Sequence, residues 1–308
     1  MLNPFQETLV PLGDWIQTLV QWVVTNFRWV FQLIRWPVDQ LLTGVENFFV
    51  AIPQVIFIVV VSLLAWQVGG RGLAILSFIS LVAIGLIGAW QASMITLALV
   101  ITAVAVCVLI GLPLGILAAS NDRFEGIIRP FLDVMQTLPS FVYLVPVVML
   151  FGTGKVPGVI VTFIFAVPPL IRLTNIGLRQ VQADVVEAST AFGATPQQTL
   201  WEVKIPLAMP TILAGVNQAL MLALSMVVIA SLIAVEGLGQ MVNRGIGRLD
   251  VGLAAVGGIG IVLIAIMLDR ITQAIGHPPK DGLTVWQRGP IGFFLKGRRS
   301  RRTPSPAT

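Results

Sequence analysis

Seven stretches of this chain are too apolar for water. They are Ile52–Val68, Leu73–Trp90, Ala92–Ala119, Phe131–Phe151, Val156–Thr174, Ile212–Val235 and Val251–Leu268, which run 17 to 28 residues with almost no charge. A helix rising about 1.5 Å per residue needs that length to cross about 30 Å of hydrocarbon. Charged residues make up 11% of the chain and hydrophobic ones 56%, whereas a soluble globular protein averages about 25% charged. The expected fold is all-α, a polytopic transmembrane helical bundle of about seven spans. The first span follows about fifty residues that contain no short apolar core with a small-residue cleavage site, so no removable signal peptide is expected.

Short loops rich in Lys and Arg stay on the cytoplasmic side of a membrane. With the segment after Thr174 placed inside, fourteen of the nineteen fall there: Arg71, Arg123, Arg129, Arg172, Arg179, Lys204, Arg270 and seven beyond residue 276. Arg28, Arg35, Lys155, Arg244 and Arg248 fall outside. The N-terminus is then expected outside and the C-terminus in the cytoplasm.

Residues 1–50 read as an amphipathic extension. Gln17, Gln21, Thr25, Arg28, Gln32 and Arg35 recur every three or four positions, forming one polar stripe on a helix. Trp15, Trp22, Trp29 and Trp36 recur at sevens near the opposite face, where such rings suit the headgroup boundary. This helix is expected to lie in the interface and to contact membrane lipid. Residues 51–276 form the membrane domain, and 277–308 a basic cytoplasmic tail expected to be disordered. The tail's Lys296, Arg298, Arg299, Arg301 and Arg302 read either as a topology signal or as a cluster drawn to anionic lipid that responds to ionic strength.

The single cysteine, Cys107, excludes an intrachain disulfide. The single histidine, His277, excludes a multi-histidine metal site within the chain and disfavours a serine–histidine pair at membrane depth. Gly111 and Gly115 make a GxxxG that permits close helix approach in the third span.

Most of the polar character in the middle of the chain lies in one cytoplasmic loop, residues 180–208. Asp184 with Glu187 has capping-box spacing, and the helix it starts is expected to stop at Gly193. Thr195, Pro196 and Gln198 repeat the start signal, and the second helix is expected to end before Pro206. Each helix is then about two turns long and too short to be stable alone. Val185, Ala188 and Phe192 share one face of the first, and Leu200, Trp201 and Val203 add apolar surface. Such a loop either folds back on its own bundle or presents a docking patch.

Glu187-Ala188-Ser189, Gly193 four residues after Ser189, and Val203-Lys204-Ile205-Pro206 resemble the EAA loop of ATP-binding-cassette importer permeases. Ser189 stands for the second Ala of that pattern. "MQTLPSFVYLVPVVMLFG", "VPPLIRLTN", "NQALMLALSMVVIASLIA" and "GLGQMVNRGIGRLD" resemble the permeases of glycine betaine and proline betaine (osmoprotectant) uptake, over roughly residues 90 to 275. The resemblance implies a type I importer permease fold in the plasma (inner) membrane. It implies a coupling loop of Glu187, Ala188, Ser189, Phe192, Gly193, Ala194 and Pro206 that inserts into a separate ATPase subunit. An extracytoplasmic substrate-binding protein and a second permease copy, giving a homodimer, are the other implied partners; no nucleic acid is expected.

The chain lacks the phosphate-cradling GxxxxGK[ST] of a nucleotide-binding loop: Gly152-Thr153-Gly154-Lys155-Val156 has Met149 and Val156 where the first glycine and the hydroxyl belong. No catalytic residue and no cofactor are therefore assigned to this chain, and ATP and Mg are expected on the partner ATPase. The spans carry no ionisable residue near mid-membrane, which disfavours an ion-coupled carrier. Gln136, Phe141, Tyr143, Asn217 and Ser225 are candidate pathway residues, with Phe141 and Tyr143 offering ring faces to a quaternary ammonium. The same polar groups also fit interhelical hydrogen bonding or packing, and Pro139, Pro146, Pro168 and Pro169 fit either kinks or hinges. An importer of choline, carnitine or another small amine fits the same features.

Overall fold

The computed structural model describes residues 11–276; residues 1–10 and the basic tail, with His277, lie outside the described residues. Every regular element among the described residues is helical. In chain order the helices are α1 (Leu12–Ala51), α2 (Gln54–Gly69), α3 (Arg71–Leu86), α4 (Trp90–Ser120), α5 (Asp122–Thr137), α6 (Leu144–Phe151), α7 (Lys155–Arg179), α8 (Ala183–Ala191), α9 (Pro196–Gln198), α10 (Ile205–Ala230), α11 (Leu238–Arg248) and α12 (Val251–Gly276).

The bundle is organised around α7, which packs along α4 on one side and α10 on the other. Small residues make this possible. A Cβ placed on Gly111 would meet Val167 and Leu170 at 3.1 Å, and one on Gly115 would lie 2.6 Å from Cβ of Thr174. The GxxxG pair of α4 therefore marks the line along which the two backbones approach. Leu99, Val100, Val159, Leu170 and Ala223 close this core, each at most 2% exposed.

Among the described residues, four helical stretches are long and apolar enough to cross a membrane: Trp90–Ser120, Lys155–Arg179, Pro196–Ile233 and Val251–Gly276. Two further candidates are bent pairs, α1 with α2 at 106° and α5 with the segment Ser140–Phe151 at 103°. The shorter apolar helix α3 stands beside them. The block Phe131–Phe151, expected as one continuous span, is thus a broken one. Its cause is local: Leu138 is extended (ψ 135°) before Pro139, because a residue preceding proline is disfavoured in the helical region. The Tyr143 hydroxyl then donates to the carbonyls of Met135 and Leu138, satisfying acceptors that the break leaves at the end of α5.

The N-terminal helix is longer than the polar stripe implied. It runs 40 residues, with a kink at Phe27 (φ −113°, ψ 16°). It lies across one end of the bundle: Phe31 meets Phe151 edge to face at 5.3 Å, Glu46 pairs with Lys155 at 2.7 Å, and Phe49 meets Phe57, and Phe57 meets Trp90, likewise edge to face. Lys155 also reaches Glu236 at 3.1 Å, so three separate segments are tied at that end. The four tryptophans face outward, 56% to 69% exposed, as an interfacial aromatic stripe requires.

Candidate functional site

At the opposite end of the bundle, the chain leaves α7 at Arg179, forms α8, reverses, and re-enters as α10. Asp184 is not the cap of α8: Gln182 takes that position, without a side-chain hydrogen bond, and Asp184 stands in the first turn. There its carboxylate still favours the positive end of the helix dipole.

The stop at Gly193 is as the sequence indicated, and its geometry is a Schellman closure. Gly193 has φ +86°, its N–H donates to the Thr190 carbonyl at 2.9 Å, and the Ala194 N–H donates to the Ser189 carbonyl at 3.2 Å. The next helix starts one residue later. Thr195 Oγ1 accepts from the Gln198 N–H at 3.3 Å, Gln198 Oε1 accepts from the Thr195 N–H at 2.8 Å, and Pro196 occupies the first turn. Two complementary caps, at Gly193 and Thr195, fix the reversal through local hydrogen bonds. The Ser189 and Thr199 hydroxyls, 3.1 Å apart, tie the two arms.

The second arm does not end before Pro206. It passes through a π-helical turn, Thr199–Lys204, directly into α10. Pro206 has no N–H for the carbonyl four residues back, and the wider turn takes up that defect; the Ile205 N–H bonds the Leu200 carbonyl instead. The short arm is therefore continuous with a membrane span.

No residue of α8 is buried. Val185, Ala188 and Glu187 lie on the surface, Phe192 at the tip is 93% exposed and Trp201 is 63% exposed. Leu200, expected in the same patch, instead packs inward with Ala208 and Ile212. The result is a rigid, capped projection with an uncovered aromatic tip.

A polar cluster anchors the root of this projection, and sequence reasoning missed it. Arg179 pairs with Asp122 at 2.7 Å and Glu125 at 3.0 Å, and donates to Asn175 Oδ1 and to the Ala118 carbonyl, both at 2.8 Å. Asn175 in turn donates to Glu125 at 2.9 Å, and Arg172, two turns earlier on α7, pairs with Asp133. Arg172, Asn175 and Arg179 form a polar stripe on an apolar helix; that periodicity was the available signal.

The candidate pathway residues are dispersed. Gln136, Phe141 and Tyr143 surround the α5–α6 break, Phe141 60% exposed and Tyr143 engaged with the backbone of α5. Asn217 joins α10 to α12 by donating to Asp269 at 2.9 Å and accepting from Thr272. Ser225 is exposed and donates to the Met221 carbonyl at 3.1 Å. No cluster of metal-ligating side chains occurs among the described residues.

A bundle of apolar spans bearing an uncovered, capped helical projection at one end defines a multi-pass membrane protein. Residues 111–277 match the family of binding-protein-dependent transport system inner membrane components. The chain is 58% identical over 298 residues to the glycine betaine/proline betaine transport system permease protein ProW of Escherichia coli (strain K12), covering 96% of this chain and 84% of that one. It is 43% identical over 266 residues to the glycine betaine transport system permease protein OpuAB of Bacillus subtilis (strain 168), covering 86% and 94%. A chain of the MetNI methionine ABC transporter in inward-facing conformations shares the fold, with TM-score 0.52 at 23% identity over 58% of this chain and 92% of that one. The chain belongs to the family of binding-protein-dependent inner membrane components. It is a multi-pass permease of an ABC importer rather than an enzyme, and such a system implies a separate ATPase and a substrate-binding protein.

Proposed function

We propose that the chain is the permease subunit of an ATP-driven importer of glycine betaine and proline betaine. The observation that carries the coupling role is the projection itself: Phe192 stands 93% exposed at the tip of a reversal that two caps hold rigid. Glu187, Ala188, Ser189, Phe192, Gly193 and Ala194 form the surface that seats in the ATPase subunit, and Pro206 lies where the second arm becomes a span. Since α10 continues from that arm without a break, movement of the ATPase is delivered to a membrane helix rather than absorbed in a loop. ATP and Mg bind the ATPase.

The cargo assignment rests on the 58% identity to the Escherichia coli permease. In this reading the loop end is cytoplasmic, supported by the excess of Lys and Arg there, and the α1 end faces the binding protein. Residues 1–50 form the interfacial extension, 51–276 the permease domain with the coupling loop at 180–208, and 277–308 the cytoplasmic tail. Two copies form the pathway. Gln136, Phe141, Tyr143, Asn217 and Ser225 are its candidate polar lining, with Phe141 and Ser225 the surface-exposed members.

The test is uptake of labelled glycine betaine into proteoliposomes holding this chain and its cognate ATPase, with binding protein outside and ATP inside. ATP-dependent accumulation that disappears without the ATPase establishes class and cargo. ATPase stimulation by binding protein without accumulation would keep the class and replace betaine by choline, carnitine or another small amine. Accumulation abolished by collapse of an ion gradient with ATP present would instead establish an ion-coupled carrier.

A further inference from the structure

A groove separates α1 from the end of α6, and its lining includes Arg28, Phe31, Gln32, Arg35, Met149 and Gly152 around a cavity of about 310 Å³. Arg28 and Arg35 are seven residues apart, two helical turns, so both guanidinium groups fall on the same face of α1. The ion pairs found among the described residues involve Lys155, Arg172 and Arg179; neither Arg28 nor Arg35 has a carboxylate within ion-pair distance there. Arg35 lies beside Gly152, at the C-terminal end of α6, where a Cβ would come 3.9 Å from its Nη1. That helix end offers only a fractional negative charge.

Two arginines without a carboxylate partner on one groove suit an anion, and the surroundings say which kind. Trp29 and Trp36, the residues that follow each arginine, are 68% and 69% exposed. Indole rings placed so mark the headgroup level of a bilayer. Phe31 and Met149 give the groove an apolar wall that a free inorganic anion would not use. We infer that this groove binds the headgroup of an anionic phospholipid, its phosphate held by Arg28 and Arg35 and its glycerol and upper acyl chain against Phe31 and Met149. Planar guanidinium groups suit phosphate oxygens because they donate two parallel hydrogen bonds. The lipid would join α1 to the broken span α5–α6. This inference rests on the chain being membrane-spanning and not on the identity of its cargo.

The experiment is native mass spectrometry of the complete transporter, delipidated in detergent and titrated separately with phosphatidylglycerol, phosphatidylcholine and inorganic phosphate. The wild type should retain phosphatidylglycerol in preference to phosphatidylcholine. Two arginines, each worth about fivefold near a lipid surface, predict that Arg28→Gln with Arg35→Gln weakens retention about thirtyfold. Arg28→Lys with Arg35→Lys should keep most of it. Arg244→Gln with Arg248→Gln, a pair on exposed α11 residues, should leave it unchanged. Where the double glutamine variant cannot be recovered, Arg28→Gln alone, at an exposed position, should weaken retention about fivefold. Undiminished retention in the glutamine variants, equal loss in the α11 control, or binding of inorganic phosphate without preference between the lipids would each overturn the assignment.

Discussion

The contact between α4 and α7 and the loop between α7 and α10 both depend on small residues, to opposite effect. In α4, Gly111 and Gly115 bring two backbones so close that an added Cβ at 115 would collide with Thr174. In the loop, nothing lies within 4 Å of a Cβ on Gly193; glycine is there for its φ of +86°. One site is constrained by its neighbours within the chain, the other by the path of its own backbone. The first contributes stability; the second positions a surface that no part of the described chain covers.

The largest effect expected from this comparison is Gly115→Val. Its side chain would meet Thr174 at 2.6 Å and the Ile171 carbonyl at 3.1 Å. Overpacking of this severity costs about 3 kcal/mol or more, so the melting temperature in detergent should fall sharply. A variant that melts like the wild type would refute the idea that the α4–α7 line is rigid. Gly193→Pro should behave in the reverse way. Proline cannot adopt φ +86° and removes the N–H that bonds Thr190. Insertion and melting should persist while uptake per ATP hydrolysed falls about tenfold, the outcome of roughly 1.4 kcal/mol of misplacement.

Phe192→Ala sharpens the contrast further. A side chain 93% exposed contributes little to the fold, so stability should change by less than about 0.5 kcal/mol. As an aromatic anchor in a partner cleft it should cost about 2 kcal/mol of ATPase association, measured by titrating the ATPase onto the reconstituted permease. Unchanged affinity would remove Phe192 from the docking surface. Smaller again is Thr195→Ala, which deletes one cap and should cost about 1 kcal/mol locally, read as faster amide exchange over residues 196–204. Smallest is Asp133→Asn. Its partner Arg172 and Asp133 itself are 38% and 55% exposed, so the pair contributes about 0–1 kcal/mol and melting should barely move.

The loop between α7 and α10 was largely legible in the chain because helix caps are short-range chemistry. Gly193, Thr195, Pro196 and Gln198 do what their spacing indicates, since every hydrogen bond involved spans six residues or fewer. Asp184 misled because a carboxylate in the first turn is favoured for nearly the same reason as one at the cap. The second arm misled because Pro206 normally ends a helix, yet a π turn relieves its missing donor when the following span holds the helix in place.

What the sequence determined by itself was the solvent and the local grammar: apolar length demanded a bilayer, and caps and glycine fixed where the loop turns. The tertiary structure alone decided that α1 lies across the end of the bundle, that Arg179 gathers α4, α5 and α7, and that Asn217 binds Asp269 on another helix. Those outcomes join residues 39 to 142 positions apart in contacts such as Arg172 with Asp133 and Leu238 with Thr96. A periodicity shows which face of a helix is polar; only packing shows which other helix meets it.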